Sequence, residues 1–273
     1  MRGIQGKITV VTGGTRGIGY AIVKKFLEHG ATVILCGSRE ETAKRAEQQL
    51  KAENAAWHVE GIWPDLTDPA QLQAACSDIQ ARHGRLDILV NNAGKQGVKY
   101  DIAHMEVDKL MPYLNINVRG PWLCIHHAAP ELVKTQGKIV NIASIAALQG
   151  SYGGTCYGVS KGAVISLTYA VANELGLYGV RCNAVSPYSA ATKETLSLLG
   201  EEFHELRRSG NPLHRLCEAD DVAYASLFLA SDESKSCTGL NLLCDCGAHV
   251  RSCPFDVEDF KKNNVYEGVT PLF

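Results

Sequence analysis

Residues 7–26 read KITVVTGGTRGIGYAIVKKF, an apolar, β-branched run that passes through a glycine-rich turn into a helical pattern. Lys7–Thr12 has strand preferences, and Gly17–His29 repeats its apolar residues at helical spacing. Thr12-Gly13-Gly14-Thr15-Arg16-Gly17-Ile18-Gly19 joins the two. Glycines at such a junction let the backbone turn tightly and lie close to a pyrophosphate, whose charge meets free N–H groups at the helix N-terminus. A glycine-rich run alone says little; between a first strand and a helix it points to a dinucleotide. The spacing is TGxxxGxG rather than the GxGxxG of other dinucleotide folds.

The same alternation continues outward from this unit. Strands are expected at Ala31–Cys36, Ala56–Ile62, Leu86–Val90, Lys138–Ala143, Val180–Val185 and Leu240–Leu243. Between them lie helical patterns at Glu40–Glu53, Asp68–His83, Val107–Leu132, Tyr157–Leu177 and Asp220–Ala230. Asp68 and Pro69 are strong first-turn signals. Continuous apolar strands alternating with helices give an α/β fold, a single-domain doubly wound parallel sheet of Rossmann type. It should hold about seven strands with helices on both faces. The domain is expected to occupy residues 1–247, including a lid at 188–214, with a tail at 248–273 beyond the last strand.

Composition narrows the function classes. Of 273 residues, 45% are apolar and 21% charged, which excludes a disordered or fibrous chain. Lysine and arginine number 27 against 29 acids, so a net charge of −2 gives no footprint for nucleic acid or an acidic membrane surface. No apolar run reaches the ~18 residues of a membrane span, and Met1–Gly6 lacks a signal peptide's apolar stretch. The ten cysteines contain no CxxC pair and no zinc spacing with histidine; Cys244, Cys246 and Cys253 are the tightest group. They read as reduced thiols, mostly small core residues, in a cytoplasmic protein without a metal site.

Strand two ends Leu35-Cys36-Gly37-Ser38-Arg39, with no acid to accept from a ribose 2′-hydroxyl. Arg39 stands where a 2′-phosphate would lie, and Arg16 is in the loop itself; two guanidiniums can clamp a phosphate by charge-assisted bonds. NADP(H) is the expected cofactor. Tyr157 and Lys161 are four residues apart on one helix face, and Ser144 lies just past strand five at the carboxyl edge. Bringing a phenol from pKa ~10 to ~7 takes about 4 kcal/mol. An ammonium at ~4 Å supplies about that at an effective dielectric of ~20. Lys161 is therefore expected to make Tyr157 acidic enough to exchange a proton.

TGxxxGxG, Asn91-Asn92-Ala93-Gly94 after strand four, Ser144, and Tyr157-x-x-x-Lys161 together resemble the short-chain dehydrogenase/reductase family, from about Gly3 to Gly247. The resemblance implies that Tyr157 is the general acid on the carbonyl oxygen, with Ser144 stabilising the charge developing there. Lys161 would hold the nicotinamide ribose, and Asn117 a water linking Lys161 to solvent. Gly13, Thr15, Arg16, Gly17, Ile18 and Gly19 would line the phosphates, with Ser38 and Arg39 at the 2′ position. Asp65 and Leu66 would frame the adenine, while Asn92, Ala93 and Gly94 would flank the adenosine ribose. Pro187 and Thr192 would sit by the carboxamide. The family is usually tetrameric, sometimes dimeric, through the helices corresponding to Val107–Leu132 and Tyr157–Leu177.

Three positions depart from the family pattern: Tyr188 for the glycine after Pro187, Lys95-Gln96 for an apolar residue, and Cys246 for the first glycine of Asp-Gly-Gly. Tyr188 joins Ser144 and Tyr157 as an expected substrate contact. Leu196, Leu199, Phe203 and Leu206 fall at roughly helical spacing, as an apolar face packed on the body or closing over an apolar substrate. The stretches Ala191–Lys193 and Asn211–Leu216, and the tail, are similar to bacterial bile-acid hydroxysteroid dehydrogenases. A hydroxysteroid is the expected substrate. Alternatives are a small ketone or a 3-ketoacyl thioester, whose carrier Arg207 and Arg208 would meet, and a non-catalytic NADPH sensor.

Overall fold

The computed structural model describes residues 1–96, 102–150, 154–188, 190–192 and 201–250, with Phe203 described by its main chain alone. The strands are β1 (Ile8–Thr12), β2 (Thr32–Cys36), β3 (Val59–Ile62), β4 (Ile88–Asn91), β5 (Lys138–Ile142), β6 (Arg181–Pro187) and β7 (Asn241–Cys244). They form one seven-stranded sheet in the order β3-β2-β1-β4-β5-β6-β7. Every strand pair is parallel.

Two-residue periodicity explains why the sheet is buried on both sides. Val11, Val33, Leu35, Val90 and Val140 enter one core with Phe26 and Leu227. Their chain neighbours Val10, Ile34, Leu89 and Ile139 enter the opposite core with Leu72, Leu123 and Leu132. Helices α1 (Gly17–Glu28), α2 (Glu40–Glu53) and α8 (Ala219–Ala230) supply the first core. The second is covered by α3 (Pro69–His83), α5 (Gly120–Thr135) and α6 (Thr155–Gly176). Because β1 lies between β2 and β4, the winding direction reverses there. The crevice beyond the carboxyl ends of β1 and β4 is thus the place where an open sheet of this kind receives a ligand.

Helix starts follow local chemistry. Asp68 caps α3, accepting from Ala70 N at 2.9 Å and Gln71 N at 3.3 Å, with Pro69 in the first turn. Glu218 and Asp221 form a reciprocal capping box on α8.

The expected helical region at Val107–Leu132 forms, built of unlike turns. A short 3-10 turn (Val107–Lys109) leads to α4 (Met111–Leu114), then a wide π turn over Asn115–Arg119 precedes α5. Asn117, which has three side-chain hydrogen bonds described below, sits in that turn and is 1% exposed.

In the expected lid, Glu201–Ser209 forms helix α7. On it His204 is 2% exposed and Leu206 is 67% exposed. Leu196, Leu199, the side chain of Phe203, Cys253 and the tail from 251 lie outside the described residues. All nine cysteines within the described residues are free, and five of them are buried. Among the described residues no helix is long and apolar enough to cross a membrane.

Candidate active site

The glycine loop after β1 is held from the neighbouring strand. Asn92 Nδ2 donates to Thr12 O and Gly13 O, both at 3.0 Å. Thr12 Oγ1 accepts in return from Asn92 N at 3.0 Å and Ala93 N at 3.1 Å. Gly13, at φ 66°, and Gly19 are required by this closeness. A Cβ on Gly13 would lie 2.9 Å from Ala93 Cα, and one on Gly19 would lie 2.1 Å from Gly13 O. Asn92 is therefore a strut for the loop.

Arg16 is the N-cap of α1, which has no side-chain cap and no acid in its first turn, unlike α3 and α8. A buried carboxylate there would repel a phosphate; its absence suits a pyrophosphate. Arg39 is the N-cap of α2. Thr12 pairs with Cys36, Gly14 N donates to Cys36 O at 3.1 Å, and a Cβ on Gly37 would meet the Thr15 methyl at 2.9 Å. The Arg16 and Arg39 loops are thus adjacent, Ser38 and both arginines are exposed, and Ile18 is half-buried against the core. The Arg39 guanidinium has no ion-pair partner among the described residues, although Glu40 and Glu41 follow it in the helix. Asp65 is exposed, its Oδ1 accepting from Thr67 N and Oγ1 at 2.8 Å each, and Leu66 lines an apolar cleft with Thr12, Cys36 and Pro64. These residues fit the adenosine half of a nicotinamide dinucleotide.

At the carboxyl edge of β5, Ser144 caps a 3-10 turn over Ile145–Ala147, its Oγ accepting from Ala146 N at 3.2 Å. That turn lies against α6 because Gly158 has no side chain: a Cβ there would be 2.9 Å from Ala146 O. The approach brings the Ser144 hydroxyl near the Tyr157 phenol, whose pKa it pulls down. Lys161 Nζ lies 5.8 Å from the Tyr157 ring centroid and donates to Ile142 O at 2.6 Å.

The electrostatics correct the sequence expectation. Burial raises the Tyr157 pKa, with only Ser144 pulling it down, and burial lowers Lys161 to about 8. The ammonium is aimed at a carbonyl and shares the phenol's desolvation, so both groups lean to their neutral forms. A neutral phenol is the form that donates a proton, so the site is set as an acid.

Asn117 ties the loop after β4 to α6. Its Oδ1 accepts from Lys95 N at 2.6 Å, and its Nδ2 donates to Lys95 O at 3.0 Å and to Ser160 Oγ at 2.9 Å. Ser160 in turn donates to Tyr157 O at 2.8 Å. With both amide hydrogens committed, this side chain positions Gly94 and Lys95. A Cβ on Gly94 would lie 3.2 Å from Asn117 Oδ1 and 3.6 Å from Lys161 Nζ, which places the loop beside the lysine. Sequence reasoning missed Ser160 and Gly158. Nothing marks a helical serine, but a glycine directly after Tyr157 in an apolar helix is a signal of close approach.

Pro187 ends β6 opposite Cys244, and Thr192 N donates to Ala190 O at 2.9 Å. Tyr188 faces α7: its hydroxyl accepts from Arg207 Nη1 at 3.2 Å, and the guanidinium carbon lies 5.1 Å from its ring centroid.

A sequence profile described as enoyl-(acyl carrier protein) reductase matches residues 13–249. A 3alpha-hydroxysteroid dehydrogenase of Mediterraneibacter gnavus is 39% identical over 248 residues, covering 90% of this chain and 98% of the relative. The chain belongs to the short-chain dehydrogenase/reductase family. Another relative, an L-fucose dehydrogenase of Oryctolagus cuniculus, is 35% identical over 254 residues, covering 91% of this chain and 87% of its own. Among solved structures, ElxO with NADPH bound superposes with a TM-score of 0.84 at 28% identity, covering 90% of this chain and 100% of that one. This short-chain oxidoreductase therefore shares a fold that binds nicotinamide dinucleotides and acts on small-molecule alcohols.

Proposed function

We propose that this protein is an NADP(H)-dependent oxidoreductase interconverting a secondary alcohol and a ketone, with a hydroxysteroid as substrate. The observation that carries the reaction is the half-buried Tyr157 phenol, raised in pKa by desolvation, with Ser144 pulling against that rise and Lys161 5.8 Å from its ring. In the reducing direction Tyr157 protonates the carbonyl oxygen, and Ser144 donates to the charge developing on that oxygen. Lys161, able to exchange a proton near pH 8, returns one to the spent phenolate. The dinucleotide would supply the hydride. Gly13 to Gly19 would hold its phosphates; Asp65, Leu66 and the Asn92–Gly94 loop its adenosine; Pro187 and Thr192 its carboxamide.

NADP(H) is supported by the two exposed arginines at adjacent loops and by the absence of an acid at the end of β2. The steroid substrate is supported by the most similar relative given above. A thioester on a carrier is disfavoured because Arg208 is paired with Glu201 and Glu205 and Arg207 stacks on Tyr188. A pure sensor would not need Ser144, Tyr157 and Lys161 gathered at one edge of the sheet. Large exposed side chains on α5 and α6 (Trp122, Val159 and Tyr169) support assembly as a homotetramer or homodimer through these helices. The free thiols suit a reducing, cytoplasmic setting.

The test is NADPH consumption with ketosteroids, small ketones and a ketoacyl thioester, for the wild type and Tyr157→Phe. Turnover of a ketosteroid, lost in Tyr157→Phe while NADPH still binds, is expected. Tight NADPH binding without turnover of any of the three classes would turn the assignment towards the sensor.

A further inference from the structure

The segment after β6 and the return from α7 are fastened to β7, to the residues just past it, and to the segment before α8. Tyr188 N donates to Cys244 O at 3.0 Å, Ala191 N to Cys217 O at 2.7 Å, and Leu213 N to Cys246 O at 3.3 Å. Asn211, fully buried, donates from Nδ2 to Arg207 O at 2.8 Å and Arg215 O at 2.9 Å, which locks the turn that follows α7. Pro212 lies where a Cβ on Gly247 would be 3.0 Å away, and Ala248 O accepts from Gln149, in the segment that follows Ser144. A chain of contacts therefore runs around the carboxyl edge from the Ser144 turn to α7.

On its helical side this ring meets the residue after β6 through the Tyr188–Arg207 pair. The Tyr188 ring lies under the Arg207 guanidinium, its hydroxyl accepting from Arg207 Nη1, and a Cβ on Gly210 would be 3.5 Å from that hydroxyl. A cation over an aromatic face with an added hydrogen bond is directional, so it fixes the rotation of α7 as well as its distance.

We propose that Tyr188 is a positioning residue: through Arg207 it docks α7 at the mouth of the Ser144–Tyr157 site, and this dock sets which ketones the mouth admits. It acts on substrate fit and leaves proton transfer to Tyr157. The proposal rests on the ketone-reductase reading for its kinetic consequence, and on the geometry alone for the dock.

Two measurements on Tyr188→Gly, Tyr188→Phe, Arg207→Met and the Tyr188→Gly/Arg207→Met double variant test it. The first is amide hydrogen exchange across 201–209 without ligand. The second is KM and kcat for a bulky ketosteroid against a small ketone. Loss of a partly desolvated cation–π contact is worth about tenfold, so exchange across α7 should rise about tenfold in Tyr188→Gly and Arg207→Met. The double variant should add nothing further, while Tyr188→Phe, which keeps the ring, should change less. The ketosteroid KM should rise about tenfold relative to the small-ketone KM, with kcat changing less than KM.

Unchanged exchange in Arg207→Met, or additive effects in the double variant, would refute the dock. An equal KM rise for both ketones would refute its role in selection. If the wild type reduces no ketone, the reaction assigned above fails while the exchange data still decide the dock.

Discussion

Replacing Gly158 by alanine should uncouple Ser144 from Tyr157 without unfolding the protein. The added Cβ would lie 2.9 Å from Ala146 O, against the 3.4 Å at which ordinary contact begins, and the obstacle is backbone rather than a flexible side chain. The 145–147 turn must therefore retreat by about half an ångström. Ser144 moves with it, since its Oγ accepts from Ala146 N. Removing one donor to a developing oxyanion costs about 10²–10³ in kcat, and a misplacement of ~1 Å costs about 10². A displacement of half that size should lower kcat about 10- to 100-fold.

Stability should move little. Alanine gains about 1 kcal/mol over glycine in a helix interior, against about 1–3 kcal/mol for overpacking. The melting temperature should fall by less than about 8 °C. Gly162, one turn further along α6, has open space where its Cβ would go, so Gly162→Ala is the matched control and should keep its rate while gaining stability. The assays are steady-state NADPH oxidation with a ketosteroid and thermal melting of both variants. A Gly158→Ala enzyme within about threefold of wild-type kcat would refute the reasoning. So would equal losses in both variants.

Three further outcomes are expected. Arg39→Asp should weaken NADPH binding by about 10- to 100-fold and change NADH binding only a few-fold, measured by fluorescence titration; equal losses for both would remove the 2′-phosphate from Arg39. Lys161→Met should abolish turnover yet stabilise the unliganded chain at neutral pH. The folded lysine has a pKa of about 8 against 10.5 for its ordinary value, so between those values the unfolded chain binds more protons and stability rises with pH. The cost of the buried charge is full below pH 8. At about 1.4 kcal/mol per unit it is on the order of 3 kcal/mol, less the bond to Ile142 O. The gain in melting temperature should therefore be several degrees at pH 7 and shrink towards pH 10.5; a gain independent of pH would contradict the linkage. Asn92→Ala removes two hydrogen bonds to the glycine loop and should cost about 1–3 kcal/mol in denaturant titration, with roughly tenfold weaker NADPH binding. Unchanged values would mean that the loop is held by other groups.

The strand–loop–helix unit at Lys7–Phe26 and the alternation after it were legible because each depends on neighbours within a few residues. Val10 and Val11 enter opposite cores by two-residue periodicity, and Asp68 caps the residues next to it. The helical region at Val107–Leu132 was legible but its π turn was not: Asn117 sits in that turn, and its partners Lys95 and Ser160 are distant in sequence. Periodicity likewise gives α7 a stripe but not the surface that meets it: His204 is buried and Leu206 is exposed.

The chain's own order of residues determined that a dinucleotide fold forms and that Ser144, Tyr157 and Lys161 share its carboxyl edge, since strand spacing and helical period are local geometry. Tertiary structure alone decided which way the Tyr157 and Lys161 pKa values move and what Tyr188 meets. Desolvation depends on everything packed around a group. It raises Tyr157 and lowers Lys161, against the attraction that their spacing in the sequence predicts. Arg207 reaches Tyr188 only because β6, β7 and the return from α7 are fastened together across the sheet edge.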